Sequence, residues 1–117
     1  MAFVVRCCKA ALLRFSESLA SAVADFGVRV FAISPGLVRT RSTMNIPIFR
    51  NLPESEWRPA ERAGELVVRL TAGEADALSG CFLHLDDDLP TLVREAERIR
   101  KDRLYTLRLL GLDGPKS

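Results

Sequence analysis

A chain of 117 residues fits one ordinary domain. Its 48% hydrophobic content excludes wholesale disorder, and 17 basic against 15 acidic residues, with no single basic block, argue against a dedicated nucleic-acid binder. Adjacent Cys7 and Cys8 with distant Cys81 give no even disulfide framework and no Cys-x-x-Cys metal spacing, so the three read as reduced thiols of a cytoplasmic protein.

The N-terminal MAFVVRCCKAALLRF is interrupted by Arg6 and Lys9, so it reads as neither a signal peptide nor a membrane span. No other stretch reaches membrane length. A first helix is predicted from about Val5 to Asp25. Leu12, Phe15 or Ser16, Leu19, Val23 and Phe26 recur at steps of three and four, and alanines at 10, 11, 20, 22 and 24 favour helix. Gly27 stands where a left-handed cap is expected. Val28–Ile33 then reads as a strand, a near-continuous apolar run broken only by Arg29, as in a strand buried on both faces of a parallel sheet. It leads into Ser34-Pro35-Gly36.

Residues 41–58 are predicted irregular, with Asn45, Pro47, Asn51 and Pro53 as breakers and Met44, Ile46, Ile48, Phe49 and Leu52 spread among them. An apolar loop beyond a strand end is a candidate substrate lid, and packing against the body is an equal alternative. Pro59 fits the first position of a second helix, with Ala63, Leu66, Val67 and Leu70 as its stripe and Gly73 as its end. Cys81–Leu85 reads as a second strand. Asp86, Asp87 and Asp88 are predicted to open a third helix, favoured by its dipole, with Leu92, Val93, Ala96 and Ile99 buried. His84 with Asp86 is too small a set for a metal site. Leu104–Leu110 reads as an extended apolar tail, and residues 113–117 as frayed.

Helix, glycine, buried strand and turn make the αβ half of a doubly wound unit. Ligands in such sheets bind beyond the carboxyl ends of strands, which nominates residues 34–43 as a site. Taken together, KAALLRFSESLASAVADFGVRVFAISPGLVRTRST, residues 9–43, resembles the second half of a short-chain dehydrogenase/reductase. The resemblance runs on through residues 57–112.

That resemblance implies an α/β fold, a partial Rossmann-like, doubly wound parallel sheet spanning residues 1–117, with 41–58 as the substrate loop. It implies NAD or NADP as cofactor and a small carbonyl or alcohol as substrate. Lys9 would contact the nicotinamide ribose, and backbone near Pro35, Gly36 and Val38, with the hydroxyl of Thr40, would hold the nicotinamide end. The family's tyrosine, four residues before the lysine, is Val5 here, and the only tyrosine is Tyr105. No Gly-x-x-x-Gly-x-Gly turn occurs in the 117 residues. The chain therefore reads as the C-terminal part of such an oxidoreductase, catalytically incomplete alone and binding cofactor weakly or not at all. The alternative is a non-catalytic interaction or dimerisation remnant. Self-association is expected, and neither nucleic acid nor membrane is an expected partner.

Overall fold

The computed structural model describes residues 2–116. Its first element is the helix α1, Ala2–Val23, which starts three residues before the expected Val5. No glycine or proline interrupts this run, so nothing stops the helix earlier. A single 3-10 turn, Ala24–Phe26, replaces the expected end at Asp25, and Gly27 closes it at φ +74°, donating its N–H to the Ala24 carbonyl at 3.1 Å.

The buried face of α1 follows the predicted stripe only in part. Ser16 is buried and Leu19 and Val23 are half-buried, but Leu12, Phe15 and Phe26 are exposed, and Ala20, outside the stripe, is buried. The reason is a close crossing. A Cβ on Gly80 would stand 3.3 Å from Cβ of Ala20, so only a small side chain lets α1 approach there. Ser16 tolerates burial because its hydroxyl donates back to the Leu12 carbonyl at 2.9 Å.

The parallel sheet has two strands, β1 (Ala32–Ser34) and β2 (Phe82–His84), in the register Ala32↔Phe82, Ile33↔Leu83 and Ser34↔His84. The expected strands Val28–Ile33 and Cys81–Leu85 both shorten. Backbone pairing does extend upstream, since Gly80 N–H donates to Val30 O at 2.7 Å and Ala32 N–H to Cys81 O at 3.3 Å. Val28 stays exposed, and Ala32, Ile33 and Ser34 are half-buried, so β1 is not buried on both faces. The α/β character is present, with a small parallel sheet in place of a full doubly wound one among the described residues.

Between the strands runs α3, Ala60–Thr71, capped by Pro59, which stays extended at ψ 140° and so falls just outside the helix. Leu66 and Leu70 face inward, while Val67 is exposed. After β2 come α4 (Leu89–Arg94) and α5 (Ala96–Asp102). Leu66, Leu70, Leu78, Leu83, Leu85, Leu89, Leu92 and Ile99 form one core joining α3, β2, α4 and α5. Residues 104–110 are only partly extended. Leu109–Gly111 (β3) pairs antiparallel with Gly114–Lys116 (β4), so the end expected to fray includes a hairpin strand, and Ser117 lies outside the described residues. Among the described residues no helix is long and apolar enough to cross a membrane.

Candidate functional site

Because β1 and β2 are parallel, their carboxyl ends lie side by side, and the segments that leave them meet. Ser34-Pro35-Gly36 leaves β1. Gly36 sits at φ +66°, and Ser34 Oγ accepts the Gly36 N–H at 3.4 Å. A Cβ on Gly36 would lie 3.0 Å from Cγ of Arg58 and 3.6 Å from Nε2 of His84. The glycine thus serves the turn and the close packing of Arg58. Leu37 O then accepts the Arg58 N–H at 2.8 Å, and Leu37 pairs with Trp57 as an isolated bridge.

Thr40 caps the short helix α2, Arg41–Met44. Its hydroxyl accepts the Thr43 N–H at 3.1 Å, its N–H donates to Thr43 Oγ1 at 2.8 Å, and Thr43 Oγ1 also donates to Val38 O at 2.8 Å. The Val38 N–H is donated to no described residue. Around Trp57, 8% exposed, the end of segment 41–58 folds back onto the loop. Arg39 stacks 4.8 Å from the Trp57 ring centroid and forks onto both carboxylate oxygens of Glu54.

Arg58 ties three segments. Its backbone holds Leu37, its Nη1 donates to Ser55 O at 2.7 Å, and its Nε donates to Asp86 Oδ2 at 3.1 Å. Arg62 Nη1 approaches the other oxygen of Asp86 at 2.8 Å. His84 Nδ1 accepts the Asp86 N–H at 3.1 Å, which leaves the proton of the neutral ring on Nε2, toward Gly36. No group of three metal-ligating side chains occurs among the described residues.

The structure gathers Pro35, Gly36, Val38 and Thr40 in one loop. Lys9 is exposed on α1, one turn beyond exposed Val5, and no hydrogen bond or ion pair joins it to that loop among the described residues. The acidic run divides its work. Only Asp88 caps a helix, accepting from Thr91 Oγ1 at 2.6 Å; Asp87 accepts the His84 N–H at 2.7 Å; Asp86 takes the two arginines. Sequence reasoning gave Arg58 no role and read Asp86 only beside His84 and as a helix opener. Applying the strand-end rule to the second strand as well as the first would have nominated Asp86.

Residues 2–87 match the family described as enoyl-(acyl carrier protein) reductase. The chain belongs to the short-chain dehydrogenase/reductase family. Two curated relatives are 3-oxoacyl-(acyl-carrier-protein) reductases FabG, from Buchnera aphidicola subsp. Schizaphis graminum (strain Sg) and subsp. Acyrthosiphon pisum (strain APS). Each is 30% identical over 84 residues, 67% of this chain and 34% of the relative. The chain thus spans about a third of the length of those relatives. No solved structure matches it.

The Arg58 hydrogen bond, aided by the charges of Arg58 and Arg62, holds the Asp86 carboxyl below its ordinary value. A folded-state value below the unfolded one, about 3.9, stabilises above that value and is lost as pH falls through the folded one. Glu17, lowered chiefly by its bond to Arg108, acts in the same sense. Asp86→Asn is therefore expected to be less stable at neutral pH and to lose less stability below about pH 4. Denaturant midpoints measured across that range check this, and an unchanged acid limb would contradict the Arg58–Asp86 tie.

Proposed function

We propose that this chain carries the nicotinamide-facing part of an NAD(P)-dependent short-chain reductase acting on a carbonyl or the corresponding alcohol, and that its 117 residues do not complete the reaction alone. The observation that carries the reading is the loop 34–40 at the carboxyl end of a parallel strand in a chain of this family. The free Val38 N–H suits a carboxamide oxygen, and exposed Lys9 suits a ribose hydroxyl. A bound nicotinamide would supply or accept the hydride. Val5 holds no proton to pass to a carbonyl oxygen, and within these residues no glycine turn at a helix start offers backbone N–H groups to a pyrophosphate. The names of the relatives make a 3-oxoacyl group the first carbonyl to try.

Titrating NADH and reduced nicotinamide mononucleotide against Trp57 fluorescence and amide chemical shifts tests this. The expected result is binding weaker than about 1 μM, with shifts concentrated at residues 36–40. A micromolar or tighter constant would mean the pyrophosphate is held elsewhere in the chain. Saturation without a shift at Val38 would remove the loop from the nicotinamide site.

A second reading, self-association, is favoured by the apolar face that α1 leaves in water. Phe15 is 61% exposed and Leu12, about one turn earlier on the same side of the helix, 51%. Sedimentation is expected to find a dimer or larger species, and a dye for exposed apolar surface is expected to bind. A sharply melting, dye-negative monomer would overturn it.

A further inference from the structure

A second concave feature lies at the opposite ends of the same strands. The residues that enter β1 and β2, Arg29 and Ser79 to Cys81, border a cleft of about 600 Å³ between α1 and the run from α5 to Arg108. That volume falls within the span of small-molecule sites, about 300–1,000 Å³. Its charge is unbalanced. Arg29, Arg100, Arg103 and Arg108 line it against Glu17 and Asp76. Glu17 adds little negative charge, because Arg108 forks onto both its oxygens and Arg14 reaches it at 3.1 Å. Arg29 is spent on the carbonyls of Ala24 and Val28, both at 3.3 Å. Among the described residues no ion pair or hydrogen bond occupies the guanidinium of Arg100 or of Arg103, and Arg108 Nε is buried without a partner.

The end of α5 does not account for these arginines. Its last carbonyls could attract cations, yet the Leu104 N–H already bonds Ile99 O at 2.9 Å and the Arg103 N–H bonds Arg100 O at 3.3 Å. The backbone is also held in an unfavourable form. Arg103 has φ +54° and Tyr105 φ +57°, where glycine is the unstrained choice. Those two positions turn the chain so that Arg103, Thr106 and Arg108 border one cleft. Ala20, Ala24, Ile99 and Leu104 supply an apolar wall. Arg100, Arg103 and Arg108 lie beyond the residues 2–87 that match the family.

We infer that this cleft binds a small organic phosphate, its dianionic head between the Arg100 and Arg103 forks and its uncharged body against the Ala20–Ala24–Leu104 wall. Planar guanidinium forks pair with phosphate oxygens two at a time, which favours phosphate over a single carboxylate. The site is independent of the nicotinamide reading, since it stands at the amino ends of the strands and uses none of residues 34–40.

The test titrates phenyl phosphate and inorganic phosphate into the 117-residue chain at low salt, by calorimetry and amide chemical shifts. Phenyl phosphate is expected to saturate and to bind more tightly than inorganic phosphate. Arg100→Gln combined with Arg103→Asn, the asparagine being tolerant of left-handed backbone, is expected to weaken it about tenfold or more. Arg98→Gln removes a charge from the same helix outside the cleft and is expected to leave binding within about twofold. Circular dichroism verifies that each variant folds. No saturation, or equal weakening by Arg98→Gln and the double variant, would overturn the site. Equal affinity for the two phosphates would overturn the apolar wall's part in it.

Discussion

Replacing Leu83 by alanine is expected to lower the unfolding free energy by about 3 kcal/mol, within the range for buried leucines. Leu83 is 1% exposed and stands at the centre of the core that joins α3, β2, α4 and α5. It also pairs with Ile33 in the sheet, so the cavity would open where the two strands meet the helices. Neighbouring backbone is fixed by the ladder and cannot collapse into the space. Phe82 is the internal comparison. It is the next residue on the strand, so its side chain points to the opposite face, and it keeps 38% of its surface in water. Phe82→Ala is expected to cost markedly less despite removing more atoms. Denaturant curves with a shared slope measure both. Equal costs would mean that the core lies on the wrong side of β2.

Val5→Tyr is expected to change the ionisation of α1 without producing turnover. Positions 5 and 9 are one helical turn apart on α1, and both are exposed, so a tyrosine at position 5 fits and faces Lys9. The cation favours phenolate, so the new phenol should titrate below the ordinary tyrosine value of about 10. A well-placed general acid contributes about 10²–10⁴-fold, but only to a reaction whose hydride donor is already held in place. These 117 residues hold no glycine turn for the pyrophosphate. Ultraviolet titration reads the phenol, with Tyr105 as the single native background. Following NADPH absorbance with a panel of carbonyls, a 3-oxoacyl thioester included, reads the turnover. A phenol at the ordinary value would separate Lys9 from position 5. Measurable turnover by either form would show the cofactor site to be complete within the chain.

Local features were legible because their causes are local. Gly27 is left-handed because a helix ends there, and Ser34-Pro35-Gly36 turns because proline and glycine turn; neither needs a distant partner. The order of helix, strand, loop, helix and strand follows from periodicity in the same way. That order, with the lysine at position 9, carried the family resemblance and the nomination of residues 34–43.

Other features depended on partners far along the chain. The buried side of α1 could not be read from its leucines, because the contact that selects it is between Ala20 and Gly80, sixty residues apart. Where the β1 pairing lies depends on residues some fifty positions away, since Val30 and Ala32 bond Gly80 and Cys81 and Ala32–Ser34 run beside Phe82–His84. The three aspartates look alike in sequence. They part only when β2 ends beside Arg58 and Arg62, which claim Asp86 by charge, while hydrogen-bond geometry leaves Asp87 to His84 and Asp88 to Thr91. The family resemblance, the element order and the loop beyond the first strand were all legible in the order of residues, since these rest on short-range stereochemistry. Which faces are buried, which charge meets which, and that Arg58 and Arg62 converge on Asp86 emerged only from the folded chain, because through-space contacts between distant segments select among side chains that the local pattern leaves equivalent.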